Sequence, residues 1–249
     1  MTLLWVLGFV LLGSVGAVCG AGLFLLFPER MRRVLIPYVI SYATGTLLAA
    51  ALLGLLPEAM EQAAVEPVLA LVLAGLVVFF ILERLMVWRH CHMEGPCETH
   101  HNTAGYLILV GDALHNFVDG AVIAAAFLSS IPLGIATGLA VIAHELPQEV
   151  GDFGILLDSG FGRSQAFLWN TLSASASVPG ALAAYVALDQ VEHLVPSVLA
   201  LSAASFLYIG LADLVPGLHG RIGANAGLGQ FGVMLLGVGT IALFRLHHG

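Results

Sequence analysis

The chain has 249 residues, 59% of them hydrophobic and only 10% charged, with a mean hydropathy of +0.98. Soluble domains carry about 25% charged residues, so these values exclude a soluble globular fold and point to an all-α polytopic membrane protein in a lipid bilayer. The formal net charge of −8, with only eight basic residues, leaves no basic stripe for nucleic acid, and three cysteines make no secreted disulfide framework.

No charge precedes Glu29. The first apolar run therefore lacks the positive region of a cleavable signal and is expected to be a retained span, with 1–249 a single transmembrane domain. Crossing about 30 Å of hydrocarbon takes roughly 20 residues. Eight runs are long enough: 3–27, 34–56, 67–88, 104–128, 132–157, 164–188, 194–215 and 225–246. Eight transmembrane helices are expected. The arginines set their orientation, because short cytoplasmic loops hold the basic excess. Arg30, Arg32 and Arg33 follow the first run, Arg84 and Arg89 end the third, Arg163 follows the fifth and Arg221 the seventh. Only Arg245 falls on the other side, where Glu58, Glu61, Glu66, Asp189 and Glu192 stand. Both termini are expected outside the cytoplasm, in a multi-pass protein of the plasma membrane. The second and seventh runs end alike, Leu55-Leu56-Pro57 and Leu214-Val215-Pro216, on opposite faces of the membrane. That echo fits an inverted repeat of the kind found in secondary transporters.

Between the third and fourth runs, 89–103 has its own character: His90, Cys91, His92, Cys97, His100 and His101, with Glu94 and Glu98 among them. Thiolates and imidazoles are competent metal ligands, but the spacing is not that of a zinc finger. A flexible cytoplasmic loop that captures metal weakly is expected.

The fourth and fifth runs carry what lipid-depth packing would not select, Gly111-Asp-Ala-Leu-His-Asn-Phe-Val-Asp-Gly120 and His144-Glu-Leu-Pro-Gln-Glu-Val-Gly-Asp152. Each ionisable group at membrane depth costs about 2.5 to 3.5 kcal/mol and marks a functional site by default. At about 100° per residue, Asp112, His115, Asn116 and Asp119 share one sector of the fourth helix, and His144, Glu145, Gln148 and Asp152 one sector of the fifth. Glu149 lies about 40° beyond that edge. Pro147 has no N–H for the carbonyl of Ala143 and is expected to bend the fifth helix. Gly111, Gly120 and Gly151 are expected to let the two helices approach closely. Imidazoles, carboxylates and amides form a labile N/O ligand set suited to zinc, iron(II), manganese or cobalt, and unsuited to copper(I). A bound imidazole must be neutral, so any uptake should depend on pH.

These two runs resemble the signature helices of the ZIP (Zrt- and Irt-like) divalent metal transporters, His-Asn-x-x-[Asp/Glu]-Gly in the fourth span and His-Glu-x-Pro in the fifth. The likeness is greatest to the branch whose fifth helix reads His-Glu-x-Pro-His-Glu. It implies a ZIP-like bundle and metal coordination in a two-metal centre by His115, Asn116, Asp119, His144, Glu145 and Gln148, with Asp112, Glu149 and Asp152 as orienting or relay residues. It also implies transport of zinc into the cytoplasm, with iron, manganese or cadmium as further cargo, no resident cofactor and no enzymatic activity. A homodimer is implied too, in which the first, fourth, fifth and sixth helices slide against the second, third, seventh and eighth. Gln148 departs from the histidine or bridging glutamate of relatives, and 170–185 contains no acid, so Asn170, Ser173, Ser175 and Ser177 are the polar groups of the sixth run. A rival reading is an intramembrane zinc metalloprotease, because His144-Glu145 followed by Gln148 is one residue away from H-E-x-x-H. A second rival is that the polar stripes serve only helix assembly.

Overall fold

The computed structural model describes residues 1–91, 100–190, 192–219 and 224–248, and every regular element among them is helical. Helix α1 (Thr2–Phe24) contains a π turn at Leu12–Gly16, and α2 (Glu29–Gln62) one at Ala50–Leu55. There follow α3 (Val65–Cys91), α4 (His100–Ser129), α5 (Ile131–Asp158), α6 (Arg163–Ala174), α7 (Ser177–Gln190), α8 (Val195–Tyr208) and α9 (Ala224–His248). Beyond α8 the chain continues through a π turn, Ile209–Leu214, into Val215–His219.

Each of the eight apolar runs lies on helix. Five described stretches are long and apolar enough to cross a membrane: Thr2–Phe24, Glu29–Gln62, Ile108–Ser129, Arg163–Leu188 and Val195–Ala212. α5 is not among them, since His144, Glu145 and Gln148 dilute its apolar character. The surface is that of a protein solvated by lipid. Leu53, Phe80, Leu114, Phe117 and Leu168 are exposed, while Asp112, Asn116, Asp119, His144, Glu145 and Glu149 are buried.

Two boundaries differ from expectation. The sixth run is not one helix but α6 and α7, with a turn at Ser175 and Ala176. Ser173, Ser175 and Ser177 donate their hydroxyls to the carbonyls of Asn170, Thr171 and Ala174, and such back-bonding competes with the helix for its acceptors. The second run does not stop at Leu56 but continues to Gln62, because the π turn at Ala50–Leu55 rearranges the backbone hydrogen bonds just ahead of Pro57. The same device, Ile209–Leu214, precedes Pro216.

Packing divides the helices into two sets that meet along α5. α4 packs on α5, α6 and α7, with α1 against them; α2 packs on α9, and α3 on α8; α5 also touches α2 and α9. Leu47, Leu55, Ile123, Phe127, Leu133, Leu199 and Phe206 form a common buried core. Two crossings bring backbones together through glycine. A Cβ built on Gly120 would stand 1.9 Å from the Ser177 carbonyl oxygen, and one on Gly180 2.0 Å from that of Phe117. At the other crossing, a Cβ on Gly45 would stand 2.1 Å from the Met234 oxygen and one on Gly237 2.5 Å from that of Tyr42. Gly120 thus admits α7, not α5 as expected, because it lies one residue, about 100°, past Asp119 on the helix. A Cβ at Gly151 would meet nothing within 4 Å, so Gly151 does not serve the α4–α5 approach either.

Candidate metal centre

α4 and α5 are joined by Ser130 alone, whose Oγ accepts from the Leu133 amide at 3.3 Å and caps α5. So short a link makes the helices antiparallel neighbours. α5 then runs through Pro147 as one α-helix.

His144 fixes the chemistry of the pair. Its Nδ1 lies 3.0 Å from the Ala140 carbonyl oxygen, to which it donates, so the ring carries its proton there and Nε2 presents a lone pair. That Nε2 stands 3.0 Å from Asp119 Oδ2, 3.3 Å from His115 Nε2 and 3.7 Å from Glu145 Oε1. His115 Nε2 is itself 3.7 Å from Asp119 Oδ2 and 3.6 Å from Glu145 Oε1. Both carboxylate oxygens of Asp119 and of Glu145 are buried without a hydrogen-bond donor. Four potential ligand atoms, one from each residue and all within 4.8 Å of one another, therefore converge. Ligand atoms about 2.0 to 2.1 Å from a tetrahedral zinc stand about 3.3 Å apart. Five of the six separations in the group, 3.0 to 3.7 Å, bracket that value. His115 is the partly open member, with 23% of its side chain exposed, against 0–2% for the other three.

The remaining expected residues are linked by hydrogen bonds beside this group. Asp112 accepts from Asn116 Nδ2 at 2.9 Å and Gln148 Nε2 at 3.1 Å through Oδ1, and from Ser173 Oγ at 2.6 Å through Oδ2. The amides of Asn116 and Gln148 thus turn their NH₂ groups to Asp112. Asn170 Nδ2 donates to Glu149 Oε2. Glu149, which helical arithmetic sets beyond the polar sector, is fully buried and has a carboxylate oxygen within 4.8 Å of Asp112 and Glu145. The 40° offset is offset by side-chain length and by α6 closing over that flank. Asp152 is also buried, its Oδ2 without a donor.

Sequence reasoning left Asn170 and Ser173 without a role, and Phe206 unmentioned. Two polar residues three apart in an apolar run were the available signal for the first two. Phe206 packs edge-on to His144, ring centroids 5.9 Å apart, and no local pattern marks it. Of the loop histidines and cysteines, His92 and Cys97 lie outside the described residues. His90, Cys91, His100 and His101 are described only in backbone, at the ends of α3 and α4.

Comparison with known proteins bears on the same helices. Residues 87–245 match the family model described as "ZIP Zinc transporter". The chain is similar to the zinc transporter foi of Drosophila melanogaster, 39% identical over 161 residues, which is 63% of this chain and 22% of that protein. It is 36% identical to human zinc transporter ZIP6 over 151 residues, 58% of this chain and 20% of that protein. With human zinc transporter ZIP4 the identity is 45% over 111 residues, 45% of this chain and 17% of that protein. The chain thus spans about a fifth of the length of the relatives it matches.

Proposed function

Because the chain belongs to the ZIP zinc transporter family, we propose that it carries zinc across a membrane into the cytoplasm through the site between α4 and α5. The observation that carries this reading is the convergence of His115, Asp119, His144 and Glu145, with the carboxylate oxygens of Asp119 and Glu145 buried and without a hydrogen-bond partner. His115, Asp119, His144 and Glu145 bind the ion directly. Asn116 and Gln148 offer amide oxygens while their NH₂ groups hold Asp112, and neutral ligands of that kind keep the ion exchangeable. Iron(II), manganese and cadmium are further cargo for an N/O set of this type.

The transporter is read as eight spans in an inverted repeat, an arrangement supported by the π turns that precede Pro57 and Pro216. Its membrane is the plasma membrane, its assembly a homodimer, and its termini lie outside the cytoplasm, in keeping with the arginine distribution. The histidines and cysteines of 89–103 receive the ion on the cytoplasmic side. The protease reading lacks the second histidine of H-E-x-x-H, since Gln148 donates to Asp112, and would need His115 or Asp119 to complete its zinc site; the relatives named above are zinc transporters, which favours transport.

Radiolabelled zinc entry into proteoliposomes tests the proposal. Saturable entry is expected for the parent protein and its near-complete loss for His115→Ala, with the variant reconstituted in equal amount. Parent vesicles that take up no more than empty ones would overturn it.

A further inference from the structure

α5 has a second flank that the metal site does not use. Leu146, Pro147 and Val150, roughly opposite its ligand sector by helical arithmetic, line a groove whose other wall is Ile36, Val39 and Ile40 of α2, with Phe24 at the end of α1. The groove holds about 310 Å³, part of it open to the surroundings, the lower end of the range for small-molecule sites. None of its lining side chains is polar, so nothing in it suits an ion or a polar metabolite. Just ahead of the groove, α2 opens with a basic run, Arg30, Arg32 and Arg33. Arg33 pairs with Glu29, one turn back. Arg32 enters no ion pair among the described residues, and its Nε is closed to solvent without a hydrogen-bond partner. A guanidinium does not shed its proton, so an enclosed N–H of this kind costs free energy until an acceptor meets it. Steps of four residues relate Arg32 to Ile36 and Ile36 to Ile40, which puts all three on one face of α2. The backbone of Arg32 is about 6 Å along the helix from that of Ile36. A cation in want of an acceptor thus stands one turn from an apolar groove.

We propose that this face of α2 and the back of α5 bind one anionic phospholipid, its phosphate at Arg32 and an acyl chain in the groove between Ile36, Ile40, Leu146 and Val150. A lipid from the surrounding bilayer answers both halves of the site. A phosphodiester offers a guanidinium two acceptor oxygens. An acyl chain brings no polar group into the groove, whereas a peptide segment laid there would leave backbone N–H and C=O groups unanswered. Leu23, Leu26 and Phe27, between Phe24 and α2, are exposed, as side chains in contact with lipid are. The bound chain lies against the same turn of α5 that carries His144, Glu145 and Gln148 on its other side. The site stands whether or not the chain moves zinc.

Titration of the purified full chain in detergent with dioleoyl phosphatidylglycerol, read by native mass spectrometry, tests the site without requiring transport. The parent is expected to retain one phosphatidylglycerol under conditions that strip dioleoyl phosphatidylcholine. Arg32→Gln should weaken retention by about fivefold or more, the scale for one basic residue at an anionic lipid surface. Arg32→Lys, which keeps the charge without the fork, should fall between and serves if Arg32→Gln does not fold. Arg163→Gln removes the same charge from another exposed arginine and should leave retention unchanged. Ile40→Trp, which fills the groove and keeps Arg32, should weaken it as Arg32→Gln does. Inorganic phosphate in excess should not displace the lipid, because it has no chain for the groove. Equal retention of the two lipids by the parent would overturn the site, as would equal losses in Arg32→Gln and Arg163→Gln. Phosphatidylglycerol binding indifferent to Arg32→Gln and Arg32→Lys, binding indifferent to Ile40→Trp, or displacement by phosphate would overturn it too. Zinc flux in proteoliposomes is a separate readout, so its absence would sink the transport reading while the lipid site stood.

Discussion

The α4–α5 seam and the α2–α9 crossing are both buried helix contacts in one small bundle, and they are built on opposite principles. At α2–α9 the side chains are removed where the helices come closest: Gly45 and Gly237 let backbones meet. At α4–α5 the side chains are kept and made polar, so that potential ligands converge and the carboxylates of Asp119 and Glu145 are left without donors. In lipid, where apolar burial drives helices together only weakly, close backbone contact supplies cohesion. The bundle's cohesion therefore comes from its glycine crossings, and that leaves the polar seam free to be unsatisfied until a cation arrives. α4 takes part in both, with Gly120 turned to α7 and Asp119, its neighbour in sequence, turned to the ligands.

The sharpest way to break this comparison is to substitute one residue on each side. Asp119→Ala should reduce zinc uptake by about 100-fold, the upper range for removing a metal-site group, with thermal stability in detergent held or raised. Gly45→Val should do the reverse. Its new side chain would enter the Met234 carbonyl, and overpacking of that kind costs about 3 kcal/mol or more. The surviving folded fraction should then bind zinc as the parent does. Uptake per folded molecule that falls as far in Gly45→Val as in Asp119→Ala would show that the two regions are not separable.

A smaller effect distinguishes ligands from the groups that orient them. Ser173→Ala removes the 2.6 Å hydrogen bond to Asp112 and should weaken cation binding by about tenfold, while Ser173→Thr, which keeps the hydroxyl, restores it. A general loss of structure would not be rescued in that way. Equal binding in Ser173→Ala and the parent would remove α6 from the site.

How much of this was legible in the sequence follows the range of the forces involved. Hydropathy is local, so all eight apolar runs fall on helix. The ligand stripes are local too, since i,i+4 spacing puts His115 and Asp119 on one face, and the same spacing relates Glu145 to Glu149. What escaped depends on a third helix. The wheel sets Glu149 aside because it knows nothing of Asn170, which holds that carboxylate in place. Ser173 looked like one serine among several until α6 closed over Asp112. The break between α6 and α7 arises from hydroxyls competing for carbonyls, a balance that apolar patterning does not register. The sequence marks Gly120 as a contact point but does not reveal its partner, because a one-residue step turns the contact by about 100°.

Glycine also supplies the smallest test. Gly120 and Gly151 flank the two ligand runs and look equivalent in sequence, yet a Cβ at Gly120 would stand 1.9 Å from a carbonyl oxygen and one at Gly151 would meet nothing within 4 Å. Alanine in a helix restricts the unfolded chain and is favoured over glycine by about 0.4 to 1 kcal/mol wherever the space is open. Gly151→Ala should therefore raise the unfolding temperature by a few degrees, while Gly120→Ala lowers it, because the Ser177 backbone cannot yield as a flexible side chain could. Thermal unfolding of the two variants side by side reads the difference. If both shifted in the same direction, the close approach of α4 to α7 would not be what requires glycine at position 120.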